Sequence, residues 1–279
     1  MMQYAAWRLY FERVIELPDA EINLAEGALI LAADEYPDLD VSRYLAELDA
    51  LAGTVAPRIA ASDEPRAILA ALNAFLFDEL GFSGNRQDYY DPRNSYLNDV
   101  LTRRTGIPIS LSVLSIALAQ RLRLPIVGVG LPGHFCCKWQ TATHEIVFDP
   151  FNGGEILDIP AIQARVRATA QPHATFEPDW LDAVGNKYIL YRMLNNLKTL
   201  FIRRGQLRRA QQAVDKMLLL DPRASSEIRD MGLLSLRLGE HRQAVIYLEQ
   251  YLLSHPDAYD ADEMRAHVQG ALEQVERLN

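Results

Sequence analysis

His134 stands in Gly133-His134-Phe135, and Asp149 follows fifteen residues later in Phe148-Asp149-Pro150-Phe151-Asn152-Gly153-Gly154. Upstream of both, Arg103-Arg104-Thr105-Gly106-Ile107-Pro108-Ile109-Ser110-Leu111 opens a long apolar helix. A helix start, a His on one strand and an Asp on the next make the layout of a Cys-His-Asp hydrolase or acyltransferase. In such a site the helix N-terminus stabilises first a thiolate and then an oxyanion. The His takes the proton, and the Asp holds the imidazole in the required tautomer. No cysteine stands at this helix start. Ser110 is the nearest hydroxyl, and serine can serve in a triad with His and Asp. In a first helical turn, however, serine more often caps or bonds back to the backbone. The candidate catalytic set is therefore Ser110, His134 and Asp149. The plainer reading of His134 is a residue flanking a turn, and of Asp149 a turn-forming Asp-Pro.

The only cysteines are Cys136 and Cys137. Neighbours in a strand point to opposite faces and do not bridge easily. Cys136 shares a strand face with His134, but a buried free cysteine usually acts as a small hydrophobe. His134, Cys136, Cys137, His144 and Asp149 lie close in sequence. None of them pairs at helical His spacing or as Cys-x-x-Cys, so no metal is expected. No glycine-rich phosphate loop of Walker or Rossmann type is present, and no cofactor is expected. Asn94, and Arg204 and Arg208 around Gly205, are candidate binding residues; the arginines could grip an acidic peptide or a phosphate.

The elements that must position these residues follow from periodicity. Residues 1 to about 85 read as an N-terminal helical segment, with Leu17, Ile22, Ala25 and Leu29 on one face. Asp40-Val41-Ser42 can cap a helix from Arg43 to Leu51. Another runs from Glu64 to Leu80 and ends at Gly81. Residues 82–94 are polar and form a loop. Asn94-Ser95 can cap a helix from Tyr96 to Arg104, with Gly106 as its stop. Pro108 suits the first turn of the next helix, and Leu111–Leu122, apolar nearly all round, belongs inside the core. After Pro125 come three short β-rich runs, at 126–129, 134–139 and 145–148, and Glu155-Ile156-Leu157 can return as a fourth. They predict a small antiparallel sheet on the buried helix, an α+β core over residues 86–180.

From about Gly185 the chain is helical again, and it repeats. Gly205 pairs with Gly239, Ala210 with Ala244, Leu218 with Leu252 and Pro222 with Pro256, each offset by 34 residues. That is the period of a tetratricopeptide helix pair. Residues 185–279 read as two degenerate repeats and a last helix from Asp260 to about Leu278. Lys198 stands where the repeat prefers glycine. Two repeats fall short of the three usually needed alone, so the tail is expected to pack on the core.

The bulk numbers bound the function. A chain of 279 residues, 49% hydrophobic and 23% charged, has material for one large or two ordinary cores. A formal charge of −9 argues against a broad nucleic-acid surface or attraction to anionic lipid. No disulfide framework, secretory signal or membrane-length apolar stretch is evident, which suits a cytoplasmic protein.

Four motifs occur in order: Asp91-Pro92-Arg93-Asn94-Ser95-Tyr96-Leu97-Asn98, Arg104-Thr105-Gly106-Ile107-Pro108-Ile109-Ser110-Leu111, Pro132-Gly133-His134-Phe135, and Asp149-Pro150-Phe151-Asn152-Gly153-Gly154. Together they resemble the bacterial SirB-one (SirB1) family, which joins a transglutaminase-like core to a tetratricopeptide-like tail. The resemblance covers the chain from about Asp88 onward. It implies a papain-like core with Gly106–Leu122 as central helix, His134 at the His position and Asp149 at the Asp position. The nucleophile position falls near Pro108–Ser110, without the usual cysteine. Three functions follow as expectations. The preferred one is a non-catalytic, transglutaminase-like scaffold with a protein or peptide partner. The others are a serine-based amide hydrolase or acyltransferase, and a peptide-binding module carried by the repeats.

Overall fold

The computed structural model describes residues 2–277. The chain separates into two units, residues up to Met193 and residues from Leu194 on, and the division falls inside a single helix.

The first unit opens with helices α1 (Met2–Ile15), α2 (Leu24–Ile30), α3 (Val41–Ile59) and α4 (Pro65–Asn73). Asp40 caps α3 as its sequence predicts, its carboxylate accepting from the Arg43 N–H at 3.0 Å. That helix runs past Leu51 to Ile59 because Leu48, Ala52, Val55 and Ile59 continue its buried stripe. Glu64 caps α4, which passes into a π-helical turn at Ala74–Glu79.

The expected loop at 82–94 holds more order than composition shows. Strand β1 (Ser83–Gly84) pairs in parallel with β2 (Thr105–Gly106), and Asp91 caps a short 3-10 turn, Pro92–Asn94. The helix between them, α5, covers Leu97–Arg103. Two expectations are corrected here. Neither Asn94 nor Ser95 caps this helix, because Asn94 is spent inside the 3-10 turn; Tyr96 is the cap residue, and its side chain does not bond the helix's first N–H groups. Arg104, at φ 55°, ends the helix two residues before Gly106, because Gly106 is already paired in β2.

Helix α6 (Pro108–Leu122) is buried on all sides from Pro108 to Ala119. It packs against β3 (Ile126–Val129) and β4 (Cys136–Gln140) of a five-stranded antiparallel sheet. The sheet order is β6-β5-β4-β3-β7, with β5 (Glu145–Asp149), β6 (Glu155–Leu157) and β7 (Ala183–Val184). Helix α7 (Ile159–Thr169) lies between β6 and β7 in sequence. Side chains alternate across the pleat. Cys137 Sγ donates to Ser112 O on the α6 side, 3.6 Å away. Cys136 joins Val129, Val147, Leu157, Ile162 and Val166 on the α7 side. The turn after β5 needs glycine at 154. Its φ is 76°, and a Cβ there would sit 2.2 Å from Asn73, whose Nδ2 donates to Gly154 O at 2.9 Å.

The second unit is helical: α8 (Asn186–Arg203, entering it at Leu194), α9 (Leu207–Leu220), α10 (Ser225–Arg237), α11 (His241–Ser254) and α12 (Ala261–Arg277). Gly205 and Gly239, one offset apart, have matching φ values of 69° and 75°. Gly232 packs so tightly on Leu248 that a Cβ would lie 2.6 Å from it. One offset earlier stands Lys198, whose Nζ is held instead by Glu227 at 3.1 Å and Asp230 at 2.8 Å.

Candidate functional site

His134 lies two residues before β4, not within a strand; Pro132-Gly133 turn the chain ahead of it, and its N–H bonds Leu131 O at 3.2 Å. Asp149 is the last residue of β5. The ladder pairs Cys137 with Phe148, so the segment leading into β4 runs alongside the end of β5. The result is a direct bond: His134 Nε2 and Asp149 Oδ2 are 2.8 Å apart, with side chains 5% and 0% exposed. The imidazole therefore turns Nε2 to the carboxylate. Its Nδ1 makes no hydrogen bond among the described residues, yet it is not a sealed atom. One ring nitrogen is thus held by the carboxylate and the other is left over, the division of roles on which a triad depends.

Asp149 is fully occupied. Its Oδ1 accepts from the Phe151 N–H at 3.0 Å, and its Oδ2 accepts from Asn152 Nδ2 at 2.6 Å. The Arg165 guanidinium of α7 stands 3.5 Å from Oδ2 and also pairs with Glu155 at 2.8 Å. Burial alone would raise this carboxyl. The bonds from His134 and Asn152, with the charge of Arg165, outweigh it and hold the group below the usual aspartate value. The thiol of Cys136 is pushed up by burial and then by the Asp149 charge, and that of Cys137 by burial. Both therefore stay protonated. His134, Cys136 and Asp149 each offer a donor atom, all within 4.8 Å of one another, so they could meet a metal ion. The nearby Arg165 charge works against a cation there.

The start of α6 is a different environment. Ile107, Pro108, Ile109 and Ser110 are all buried. The Ser110 hydroxyl accepts from the Ile107 N–H at 3.0 Å and lies 2.6 Å from Asn94 O and 3.1 Å from Ile107 O, to which it donates. Among the described residues it has no bond to His134. The three candidate catalytic residues thus separate into a bonded pair and a capping serine.

The candidate binding residues also separate. Asn94 is fully buried and ties its own loop together: its Nδ2 donates to Asp88 O at 2.7 Å, and its Oδ1 accepts from Asn85 at 3.1 Å. Arg208, in the second unit, pairs with Glu240 and reaches Gln211 at 2.7 Å. Arg204 is exposed in the turn between α8 and α9. Sequence reasoning missed Arg165, Arg192, Arg86 and Tyr89, which surround the His–Asp pair directly or through Phe151. Only Phe151 and Asn152 carried a signal, as part of the turn motif after Asp149.

Residues 42–195 match the family model for the transglutaminase-like superfamily, and residues 197–269 match a tetratricopeptide repeat. The chain belongs to the transglutaminase-like superfamily. A UPF0162 protein of Xylella fastidiosa is 38% identical over 90% of either chain. Protein SirB1 of Salmonella typhimurium is 28% identical over 90% of this chain and 95% of that one. F-box only protein 21 of Homo sapiens is 36% identical over 50% of this chain and 22% of its own length. A transglutaminase-like core followed by tetratricopeptide repeats is thus the arrangement here, consistent with a SirB1-like family. Among the described residues no helix is long and apolar enough to cross a membrane.

Proposed function

We propose that this chain is a non-catalytic, transglutaminase-like scaffold that works in the cytoplasm by holding a protein or peptide partner, without a cofactor. The observation that carries the reading is the start of α6. Where a transglutaminase-like site needs a nucleophile, Ile107, Pro108 and Ile109 are buried, and the Ser110 hydroxyl is committed to backbone groups. A covalent mechanism cannot dispense with an exposed, activated nucleophile. The partner surface in this reading includes a groove of about 550 Å³ in the second unit, with Leu233, Leu234 and Ala271 on its walls and Arg237, His241 and His267 among them. The tetratricopeptide match supports protein–protein interaction in general.

The retained His134–Asp149 pair favours a second reading, a serine-based amide hydrolase or acyltransferase using Ser110, His134 and Asp149. Fluorophosphonate and iodoacetamide probes, with mass mapping of the full chain, separate the two. The scaffold predicts no native labelling at Ser110, Cys136 or Cys137. Labelling of Ser110 that disappears in His134→Ala would establish the hydrolase instead.

A further inference from the structure

Two features of the second unit stand open to solvent, and they are complementary. The first is the groove of about 550 Å³, bounded by Ile202 of α8, Leu233, Leu234 and Arg237 of α10, and Gly270 and Ala271 of α12. Its volume lies in the range of about 300–1,000 Å³ usual for a ligand site. The space over Gly270 is open, since a Cβ there would meet nothing within 4 Å. Ala271 adds little bulk, so this wall admits the close approach of a facing helix. The charge of the groove is not balanced. Asp230 on its wall is held by Lys198 at 2.8 Å and has Arg229 3.7 Å away. Arg237 is exposed and has no carboxylate partner among the described residues.

The second feature is the outer face of α11. Ile246 is 63% exposed and Leu253 84%. Glu249 and Gln250, between them, are exposed too. The four stand at i, i+3, i+4 and i+7, so they form one stripe along the helix, with its apolar ends about 10 Å apart. That is the spacing by which a helix anchors itself in an apolar groove. Glu249 has no cationic partner among the described residues. The stripe is thus two apolar anchors with a carboxylate between them, and the groove is an apolar trough with an unpaired guanidinium on its wall. None of the four lines the groove of its own chain, to which α11 gives its first residue, His241. A helix packed in place cannot turn its outer face into that groove, so a meeting of the two takes a second molecule.

We propose that the groove receives the outer face of α11 from a second copy of this chain, with Ile246 and Leu253 seated among its leucines and Glu249 paired with Arg237. This rests on the scaffold reading, in which the groove is a partner surface, and it names the partner. Groove and stripe are different surfaces, so the contact is heterologous. A molecule that offers its stripe keeps its own groove free, and association continues past the dimer unless a ring closes. The apolar anchors carry the strength of the contact. The ion pair sets its register, because like charges brought together there repel.

Sedimentation velocity on the full chain, from micromolar to near-millimolar concentration, reads this contact. The average mass is expected to climb past that of a dimer. Arg237→Glu sets like charges together and should weaken association about tenfold or more. Ile246→Gln combined with Leu253→Gln removes both anchors and should weaken it at least about as much. These residues are exposed, so the substitutions should leave the fold intact. An equal mixture of the two variants decides the geometry. One still has its stripe and the other its groove, so together they should form a one-to-one dimer and stop there, which also shows that both are folded. Arg237→Glu joined with Glu249→Arg should regain the association of the unaltered chain. An unaltered chain that stays monomeric, a mixture that pairs no better than its parts, or full association by either variant alone overturns the proposal. A monomeric chain leaves the scaffold reading standing, because that reading falls only on native labelling of Ser110, Cys136 or Cys137, read separately with the probes above.

Discussion

Two buried polar places lie near each other in the fold and are built on opposite logic. At the start of α6, the Ser110 side chain serves the backbone: it satisfies the N–H of the cap residue Ile107 and ties two carbonyls, and apolar residues close around it. At the end of β5, side chains serve each other: Asp149 gathers His134, Asn152 and Arg165 around one carboxylate. The first arrangement is a helix-start cap with one bond out to the 92–94 turn, and any fold with a helix needs something like the cap. The second joins the β4 approach, β5 and α7 through ionised groups, which are costly to bury unless every partner is in place. A transglutaminase-like core can therefore keep the half of its site that holds layers together while its helix start becomes ordinary packing.

The comparison breaks most visibly at Asp149. Asp149→Ala leaves the imidazole and Asn152 without their acceptor and Arg165 with Glu155 alone, and about 3–5 kcal/mol of stability should be lost; a loss in urea unfolding of less than a third of that would show the carboxylate is dispensable. Ser110→Ala removes a cap and strands the Ile107 N–H, and should cost about 1–2 kcal/mol by the same measurement. A Ser110→Ala loss equal to that of Asp149→Ala would erase the distinction between the two places.

Acid sharpens it further. The folded Asp149 carboxyl lies below its unfolded value of about 3.9. Its contribution is thus fully present above that unfolded value and is lost as pH falls through the lower, folded one. Asp149→Asn should flatten the acid limb of stability below about pH 4, whereas Ser110→Ala should shift the whole curve without changing its slope. The smallest effect belongs to Arg165→Gln. That guanidinium is 22% exposed and its other partner, Glu155, is 52% exposed, so less than about 1 kcal/mol is expected.

Much of this fold is legible in the sequence because its signals are long or repeated. The near-continuous apolar run of α6, the turns at Pro132-Gly133 and Asn152-Gly153-Gly154, and the 34-residue offset all correspond to elements that form. The misses are short or distant. Two-residue strands such as β1, β2 and β7 have no periodicity to read, and nothing in the sequence marks Ala183–Val184 as a strand although it completes the sheet beside β3. Arg104 takes the left-handed position that a glycine two residues later seemed to claim, because Gly106 is paired with Gly84 in β2. At the site, His134 and Asp149 were legible through motifs. Arg165 was not, since it arrives from a helix whose only relation to Asp149 is tertiary. Lys198 was read correctly as a departure from glycine, but the acids that accommodate it lie on the next repeat and become visible only in three dimensions.

The adjacent cysteines have a kinetic consequence. Cys136 faces the α7 layer and Cys137 the α6 layer, both are fully buried, and one peptide bond separates them. Each thiol becomes reactive only when its own layer lifts, so the chain carries two clocks at a single point of the sheet. Equal modification rates in the folded protein would mean that both layers open in one cooperative event. A faster Cys136 would mean that α7 peels away while the central helix stays seated, and the ratio of the two rates would measure how independently the sheet's coverings breathe.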